Sequence, residues 1–257
     1  MDRLTIVKVG GNVVEDPTLM AALLDDFKSV TGNKMLVHGG GKAATSLAGR
    51  LGIESKMVDG RRITDLDMLE VVTMVYGGLI NKRVVAGLQS RGMNALGLTG
   101  ADFDLIRAKK REVGEVDYGY VGDIESVNTR ELQQLLSENV IPVVAPLTHD
   151  GKGQMLNTNA DTIAAQLAIE LSSRYRVFLF YCFEKRGVLA DPLDNESVIS
   201  VLSESMFLEN QELGTISSGM IPKLQNGFRA LHLGVGEVLI TNPENFSRAR
   251  GTRLVKG

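Results

Sequence analysis

The chain has 257 residues, 44% of them hydrophobic, and its 28 basic and 31 acidic side chains give a net charge of −3. This length allows one large α/β unit or two lobes, and the near balance of charge argues against a surface that coats nucleic acid. A single cysteine, Cys182 in an apolar run, excludes an internal disulfide and predicts a buried, inert thiol. With no signal peptide before the first strand and no apolar run of transmembrane length, we expect a cytoplasmic protein outside the membrane.

Strand-like and helix-like segments alternate along the chain, which predicts a three-layer αβα sandwich around a central, mainly parallel sheet. The predicted strands are 4–10, 34–38, 94–98, 140–145, 176–183 and 237–241. The predicted helices between them are 17–30, 42–51, 129–138, 160–172 and 220–233. A fresh strand–helix series begins near residue 173 without a Pro-rich or Ser-rich linker. We therefore expect two lobes, 1–172 and 173–257, that share one continuous sheet.

The segment 65–90 has a long helical pattern, with Asp65 as its N-cap and with Gly77 and Gly78 as an interruption. It is apolar on more than one face, which either burial in the fold or a subunit interface would explain. From 106 to 128 the pattern changes to short segments separated by glycines. This change predicts hairpins that project over an edge of the sheet and form a lid.

Two glycine-rich turns follow the first two predicted strands. Lys8 precedes Gly10 and Gly11 in the first turn, and Gly39-Gly40-Gly41 forms the second. Glycines let backbone N–H groups approach an anion closely, and a following helix adds its positive N-terminal dipole. A Walker A motif is not present, because Ala43 stands where this motif requires Ser or Thr. The dinucleotide-binding motif G-x-G-x-x-G is absent as well. The turns alone indicate a generic phosphate site.

Polar side chains stand at three other predicted helix starts. Arg61 and Arg62 precede the long helix, where planar guanidinium groups can bind carboxylates through two hydrogen bonds. Asn157 and Asp161 flank the start of the next such helix with more polar groups than capping requires. Lys223 lies in the first turn of the last long helix, where the helix dipole disfavours a cation. For each group, solvation or simple capping is the alternative to a functional role.

Several of these motifs, spread over nearly the whole chain, occur in the order found in a known protein family. They are Lys8 with Gly10-Gly11, Gly39-Gly40-Gly41, Gly60-x-Arg62-Ile63-Thr64, Asn81-Lys82, Val121-Gly122-Asp123, Asn157-x-Asn159-Ala160-Asp161, Gly219-Met220-Ile221-Pro222-Lys223 and Gly251-Thr252. On these motifs the chain resembles the amino acid kinase family and, within it, the N-acetylglutamate kinases. The resemblance implies that the γ-phosphoryl group of ATP is transferred to the side-chain carboxylate of N-acetyl-L-glutamate, in arginine biosynthesis.

The implied reaction needs charge neutralisation and in-line positioning more than acid–base chemistry. A glutamate carboxylate, with a pKa of about 4.3, is already ionised and needs no general base, so the three histidines are interpreted as incidental. By resemblance, Lys8 would bridge the phosphoryl oxygens, Lys223 would contact the phosphates of the nucleotide, and Asp161 would hold both lysines. Mg²⁺ would be carried by the ATP phosphates, so no protein metal site is expected.

The resemblance also implies binding residues on each side of the transferred group. Arg62 would bind the α-carboxylate of the acceptor and Asn157 its amide region, while Gly39, Gly40 and Gly41 surround it. Gly11 and Gly40 would donate backbone N–H groups to the moving phosphoryl group. The first lobe would thus bind the acyl-glutamate and dimerise, and the second would bind ATP or ADP. The implied nucleotide contacts are Gly10, Gly11, Glu184, Gly187, Gly219, Met220 and Lys223.

Two departures from the family pattern leave alternatives open. Arg61 stands where relatives usually have an apolar residue, which would suit N-succinyl-L-glutamate as the acceptor if this side chain faces the acyl group. In 183–187, Glu184 stands near the place of the usual aspartate, so a catalytically silent effector-binding protein is a further alternative. The chain begins almost directly with its first strand, without the N-terminal helix that joins arginine-inhibited relatives into hexamers. We therefore expect a homodimer through the helix 65–90 that is insensitive to arginine.

Overall fold

The strands of the chain form one large sheet and two small ones, and most strands of the large sheet come from short apolar runs of the sequence. This computed structural model describes residues 1–58, 60–191, 193–216 and 219–257. Its strands are β1 (Arg3–Val9), β2 (Asn33–His38), β3 (Met57–Val58), β4 (Arg61–Arg62), β5 (Ala95–Leu98), β6 (Ile106–Lys110), β7 (Gly122–Val127), β8 (Ile141–Val144), β9 (Leu147–His149), β10 (Met155–Asn157), β11 (Arg176–Cys182), β12 (Val201–Ser203), β13 (Glu237–Thr241) and β14 (Thr252–Val255).

Amphipathic and apolar helices cover the large sheet. They are α1 (Gly11–Glu15), α2 (Pro17–Ser29), α3 (Gly41–Arg50), α4 (Leu66–Val72), a π-helix (Thr73–Ile80), α5 (Asn81–Gln89), a 3₁₀ turn (Asp102–Asp104), α6 (Thr129–Ser137), α7 (Ala160–Leu171), α8 (Glu204–Glu212), α9 (Ile221–His232) and α10 (Pro243–Phe246). The strands and helices named in the sequence analysis, apart from the long helix, are confirmed to within one residue at each end. Apolar periodicity is strong in these segments because each buries one face or more.

The large sheet has eight strands in the order β12-β14-β13-β11-β1-β2-β8-β5. Neighbouring strands are parallel except β13 and β14, so the predicted α/β class with a mainly parallel sheet is confirmed. β1 lies at the centre and pairs with β11 over seven residues, which carries the sheet from the first half of the chain into the second. The division of functions between 1–172 and 173–257 stays a prediction.

Buried apolar side chains form two clusters, one on each face of the sheet. One cluster contains residues of α6, α7 and α9, and the other contains residues of α2, the π-helix and α5. Strand residues alternate between the clusters, as Ile6 and Val7 of β1 do. This is the three-layer arrangement that the alternating sequence pattern predicts.

The long helix from Leu66 to Gln89 is continuous, and its predicted interruption is wrong. Asp65 is the N-cap, as predicted, and its side chain accepts a hydrogen bond from the Met68 N–H at 2.8 Å. Gly77 and Gly78 lie inside the π-helix, where the backbone hydrogen bonds widen to i→i+5 instead of breaking. Burial of Val75, Tyr76 and Ile80 holds this wider segment against the core.

The same helix also meets the criteria of length and composition for a membrane span, unlike the sequence expectation that no segment would. However, 44% of the tested window is buried inside the fold, and core helices meet these criteria too. Leu66–Gln89 is therefore weak evidence for a membrane span.

The glycine-rich stretch after residue 105 forms the predicted hairpin. β6 and β7 are antiparallel partners, with Lys110 opposite Gly122. They belong to a four-stranded sheet with the order β10-β9-β6-β7, and β3 and β4 form a second small hairpin. Both small sheets contribute residues to the cavity described next, so they are positioned as covers of the site, while a closing motion stays a prediction.

Candidate active site

The two glycine-rich turns lie side by side, because β1 and β2 are parallel neighbours whose carboxyl ends meet at one edge of the sheet. The Gly39 N–H donates to the carbonyl of Val9 at 2.8 Å, which ties the second turn to the end of β1. The Gly10 N–H donates to the carbonyl of Cys182 at 2.8 Å, which ties the first turn to β11. α1 and α3 then begin directly at these turns, so both helix N-termini point to the same edge.

Gly40 occupies a position that only glycine fits. Its φ of 156° is a conformation that L side chains rarely adopt. A Cβ atom at this position would lie 2.3 Å from Cδ1 of Ile80 and 3.1 Å from Cδ1 of Tyr76. The backbone of the turn therefore packs directly against the π-helix, and this contact requires a glycine at position 40.

Three charged side chains from distant parts of the chain form a buried cluster beside these turns. Nζ of Lys8, near the end of β1, lies 2.7 Å from Oδ1 of Asp161, and Nζ of Lys223 lies 3.2 Å from Oδ2. The angles at Oδ1 are poor for a hydrogen bond, so the Lys8 contact is mainly an ion pair. The side chains of Lys8, Asp161 and Lys223 are 8%, 6% and 19% exposed.

Local sequence explains how two members of the cluster are placed. The side chain of Asn159 caps α7 by accepting from the N–H groups of Asp161 and Thr162, which fixes Asp161 in the first turn, where a carboxylate is favoured. Lys223 lies in the first turn of α9, and its ammonium group also donates to the carbonyl of Gly219 at 3.1 Å. The unfavourable dipole interaction noted in the sequence is thus offset by Asp161 and this carbonyl.

Burial and charge act in opposite directions in this cluster. Burial raises the pKa of Asp161, but the combined effect of Lys8 and Lys223 is larger, so its pKa lies below the ordinary value. Burial lowers the pKa of Lys8, and the nearby Asp161 carboxylate opposes that shift. With Asp161 ionised between two ammonium groups, the cluster contains two positive charges and one negative charge. The net charge of +1 can attract an anion.

A cavity of about 250 Å³ opens above the turns and contains most of the predicted acceptor-side residues. The predicted site residues that line it are Lys8, Gly11, Gly39, Gly40, Gly41, Arg61, Arg62, Asn157 and Asp161. All of them belong to the first 172 residues. Arg61 is exposed overall but also lines this cavity.

Arg62 and Asn157 are both held in place by hydrogen bonds within the protein. The buried Arg62 guanidinium donates to the Gly41 carbonyl and to Oγ1 of Thr45, each at 2.8 Å, and also contacts Ser55. The Asn157 side chain donates to Oγ1 of Thr64 at 3.0 Å, and its backbone joins the lid at Tyr120. Both residues contribute polar groups to the wall of the cavity.

The predicted nucleotide-side residues are more scattered. Gly187 and Met220 line a second, smaller cavity of about 150 Å³ together with Val188, Leu189 and Ile216. Lys223 lines neither cavity, but it lies on α9, which begins directly after Met220, and its ammonium group contacts Asp161, which lines the first cavity. Gly10, Gly219 and Glu184 line neither cavity, and Glu184 is exposed at the end of β11.

Sequence reasoning missed several residues around the first cavity. Tyr76 of the π-helix, Arg111 and Asp123 line it, and the Arg111 guanidinium contacts the Asp123 carboxylate at 2.5 Å. Asp123 stood in a motif of the resemblance, which could have identified it, whereas nothing distinguishes Arg111 from an ordinary surface arginine. In the part of the chain that the structure describes, no group of three or more His, Cys, Asp or Glu side chains could hold a metal ion. Cys182 is buried, and burial raises the pKa of its thiol well above the ordinary value.

Comparison with known proteins gives a consistent result over almost the entire chain. Residues 3–242 match the sequence profile described as the Amino acid kinase family. The protein named acetylglutamate kinase from Bacteroides thetaiotaomicron is 56% identical over 255 residues, which is 99% of each chain. The one from Parabacteroides distasonis is 54% identical over 254 residues, covering 99% of this chain and 100% of that protein.

Solved structures agree on the fold. The structure of smu.665 from Streptococcus mutans superposes with a TM-score of 0.81 at 27% identity and covers 98% of each chain. Carbamate kinase from Giardia lamblia, bound to AMP-PNP, superposes with a TM-score of 0.72 at 12% identity, covering 99% of this chain and 98% of that one. The second likeness is one of fold alone.

Proposed function

The chain belongs to the amino acid kinase family, and on that premise we propose that it transfers the γ-phosphoryl group of ATP to the side-chain carboxylate of N-acetyl-L-glutamate. The product is an acyl phosphate, N-acetyl-L-glutamyl 5-phosphate, which serves arginine biosynthesis. Several relatives at 50% identity or more are named acetylglutamate kinase, which supports this substrate. Because the reaction consumes ATP, we place it in the cytoplasm.

The observation that carries the proposal is the buried Lys8–Asp161–Lys223 cluster, two members of which line the larger cavity. In phosphoryl transfer an anionic attacking oxygen and a leaving oxygen that gains negative charge lie on opposite sides of a phosphoryl group whose own oxygens are charged. Lys8 lies on the wall of the larger cavity and Lys223 on the helix next to the smaller one, so each lysine can neutralise charge on one side. Asp161 holds the two ammonium groups in position through both of its oxygens.

The larger cavity is proposed as the acceptor site. Arg62 can bind the α-carboxylate of the acyl-glutamate, exchanging its contacts with Gly41 and Thr45 for stronger contacts with an anion. Asn157 can bind the amide region of the substrate. Gly39, Gly40 and Gly41 then surround the reacting carboxylate, whose low pKa makes a general base unnecessary.

The smaller cavity and the start of α9 are proposed as the nucleotide site, with ATP bound as its magnesium complex. Gly187 and Met220 would contact the nucleoside, and the N-terminus of α9 with Gly219 and Lys223 would receive its phosphates. Gly10, Gly11 and Glu184 are kept as proposed contacts at the phosphate end. Cavity-lining residues thus support the assignment of 1–172 to the acceptor and of 173–257 to the nucleotide.

Neither alternative from the sequence is favoured by the relatives, which are named for acetylglutamate. Arg61 still lines the acceptor cavity, so the preference for the acetyl or the succinyl group has to be tested by the assay described below. The retained Lys8–Asp161–Lys223 cluster argues against a catalytically silent protein, because binding alone does not require two lysines on opposite sides of the transferred group.

The proposed assembly is a homodimer through the long helix, whose exposed face carries Leu66, Met74 and Leu79. Their side chains are 56%, 51% and 44% exposed, which is unusual for large apolar residues on one helix. Light scattering coupled to size-exclusion chromatography should give twice the mass of one chain. A hexamer, or a monomer at micromolar concentration, would contradict the assembly without affecting the proposed reaction.

The reaction is tested by ADP release from Mg-ATP in the presence of N-acetyl-L-glutamate, with hydroxylamine added to trap the acyl phosphate as a hydroxamate. Both signals should require the acyl-glutamate and should be absent with free L-glutamate. Running N-succinyl-L-glutamate in parallel on wild type and Arg61→Leu measures the acyl preference. Tight binding of acyl-glutamates without turnover would favour the effector-binding alternative.

Lys8→Arg tests the cluster at its centre. A planar guanidinium cannot replace a compact ammonium at a buried site, so kcat should fall by a factor of about 10² to 10³ with the fold intact. Circular dichroism checks the fold, and Lys28→Arg, an exposed lysine in the last turn of α2, is the matched control. Turnover of Lys8→Arg near that of the control would refute the role of Lys8.

A further inference from the structure

His38, at the end of β2, is buried and hydrogen-bonded on both sides of its ring. Nδ1 lies 2.8 Å from the carbonyl oxygen of Gly39, the first residue of the glycine-rich turn. Nε2 lies 3.2 Å from Nδ2 of Asn81, the first residue of α5. The ring therefore connects the turn to the long helix, although the two residues it joins are far apart in sequence.

These two contacts allow only one state of the ring. A carbonyl oxygen can only accept a hydrogen bond, so Nδ1 carries the proton and Nε2 accepts from Asn81. The other N–H of the Asn81 amide donates to the carbonyl of Val143 at 2.9 Å, which fixes the orientation of that amide. Burial also lowers the pKa of His38 to about 4, so the ring is neutral at pH 7.

The proton on Nδ1 sets the direction of the next peptide group. In a trans peptide the carbonyl and the N–H point in opposite directions, so binding the Gly39 carbonyl turns the Gly40 N–H away from His38. On that side lies Gly11, whose Cβ position would be 3.5 Å from the Gly40 nitrogen. Gly11 and Gly40 both line the acceptor cavity, and the Gly40 N–H donates to no other described residue.

The π-helix brings Asn81 and the turn together. Tyr76 and Ile80 pack against Gly40, and Asn81 follows at once on the same side. Single π-helical segments inside α-helices occur frequently at functional sites. Here the segment provides an apolar contact to Gly40, and Asn81 directly after it provides a polar contact to His38, so the turn is held at two successive residues.

Resting on the proposed function, we propose that His38 and Asn81 are positioning residues that aim the Gly40 N–H at the phosphoryl group during transfer. His38 acts as a neutral Nδ1–H donor to the Gly39 carbonyl, and Asn81 selects that tautomer. Neither residue touches the substrate. Their effect is on the transition state, where the Gly40 N–H meets the growing negative charge.

Two substitutions of His38 separate positioning from packing. An Asn side chain places its amide nitrogen at the position of Nδ1 and keeps the donor to Gly39, whereas a Gln side chain reaches the position of Nε2 and keeps the contact with Asn81. His38→Gln should lower kcat about tenfold to hundredfold, with KM for both substrates within about threefold. His38→Asn should keep kcat within about threefold of wild type. His232→Gln, at an exposed histidine paired with Glu204, is the matched control.

A spectroscopic measurement tests the tautomer independently of turnover. Two-bond ¹H–¹⁵N correlations of the imidazole rings should show His38 as the Nδ1–H form from pH 6 to 8, with its signals assigned by their loss in His38→Asn. Asn81→Asp presents an acceptor to Nε2 in place of a donor, so Nε2 should then carry a proton and the pure Nδ1–H pattern of wild type should be lost.

The outcomes distinguish failure of the inference from failure of the proposed function. If wild type is active, either of two results overturns the inference alone. One is a wild-type kcat in His38→Gln, and the other is an Nε2–H tautomer of His38 in wild type. Equal losses of kcat in His38→Gln and His38→Asn that match their losses of stability indicate packing only and also overturn it. If wild type releases no ADP with N-acetyl-L-glutamate, both the proposed function and the inference fall.

Discussion

The turns after β1 and β2 lie side by side and are made of similar residues, but they are held in opposite ways. Before the first turn stands Lys8, a buried cation that is held by the Asp161 carboxylate at 2.7 Å. Before the second stands His38, a buried neutral ring that is held by the Gly39 carbonyl and the Asn81 amide. In the sheet, His38 pairs with Val9, the residue after Lys8, so the two side chains are offset by one position.

The difference between the turns follows from what each side chain does. A charge can be buried only beside an opposite charge, and such a group is suited to meet a charged substrate. A neutral ring needs only neutral partners and is suited to fix a backbone. The two proposals thus assign chemistry to the charged side and geometry to the neutral side, and they predict a different sensitivity of each side to mutation and to pH.

The largest effect is expected from breaking the charged side with Asp161→Asn. The change keeps the shape but leaves two buried lysines without an opposite charge, which should lower the free energy of unfolding by about 3–5 kcal/mol. Urea unfolding followed by circular dichroism measures this loss, and kcat should fall with it. Asp25→Asn, at an exposed carboxylate that contacts Arg91, should cost far less. Equal stability of the two variants would contradict the role of Asp161.

The neutral side predicts a dependence of stability on acid. His38 has a pKa of about 4 in the folded chain and about 6.5 when unfolded, so between these values the unfolded state binds a proton that the folded state does not. The free energy of unfolding should therefore fall as the pH drops from 6.5 to 4, by at most about 3 kcal/mol from this group. Asp161, whose pKa is lowered, contributes its own loss only at lower pH. When the free energy of unfolding, measured with urea, is plotted against pH over this range, the slope should be shallower for His38→Gln than for wild type. The same slope in both proteins would contradict the prediction.

Gly40→Ala should break the geometry of the second turn. The φ of 156° and the 2.3 Å approach to Ile80 both oppose a methyl group, so the free energy of unfolding should fall by roughly 1–3 kcal/mol. Thermal or urea unfolding measures the loss. A variant as stable as wild type would mean that the π-helix yields easily and does not fix the turn.

Gly11→Ala, in the first turn, is expected to change stability least of these variants and still to lower activity. The new Cβ would lie 3.5 Å from the nitrogens of Gly40 and Gly41, an ordinary contact, and Gly11 begins α1, where alanine is favoured. The free energy of unfolding should therefore change by less than about 1 kcal/mol. The methyl group would nevertheless stand in front of the two N–H groups, so kcat should fall. Full activity would show that the phosphoryl group does not pass there.

Much of the fold could be predicted from sequence because its main elements carry strong local signals. β1 and β11 are continuous apolar runs, and the helices are marked by caps such as Asp65 and Asn159. β12 and β14 have only three or four residues, too few for a periodic pattern, and were not predicted. The π-helix could not be predicted either, since two adjacent glycines favour an interruption unless packing from both sides holds the helix together.

The candidate site divides in the same way. Lys8, Asp161 and Lys223 were identified by resemblance, but nothing near them in sequence indicates that they meet, because the order of strands in the sheet brings them together. His38 was interpreted as incidental, since a lone histidine carries no local signal. Its partner Asn81 lies on another element, and the choice of tautomer depends on burial, which only the folded chain provides.

The central position of β1 also has a consequence for the synthesis of the chain. Lys8 pairs in register with Tyr181, about 170 residues later, so β1 has one unpaired edge until β11 leaves the ribosome. Such distant pairing makes folding slow and exposes apolar strands in the meantime. A fragment that ends at residue 172 would keep this open edge permanently. The two proposed lobes would therefore require each other to fold even though different ligands are assigned to them.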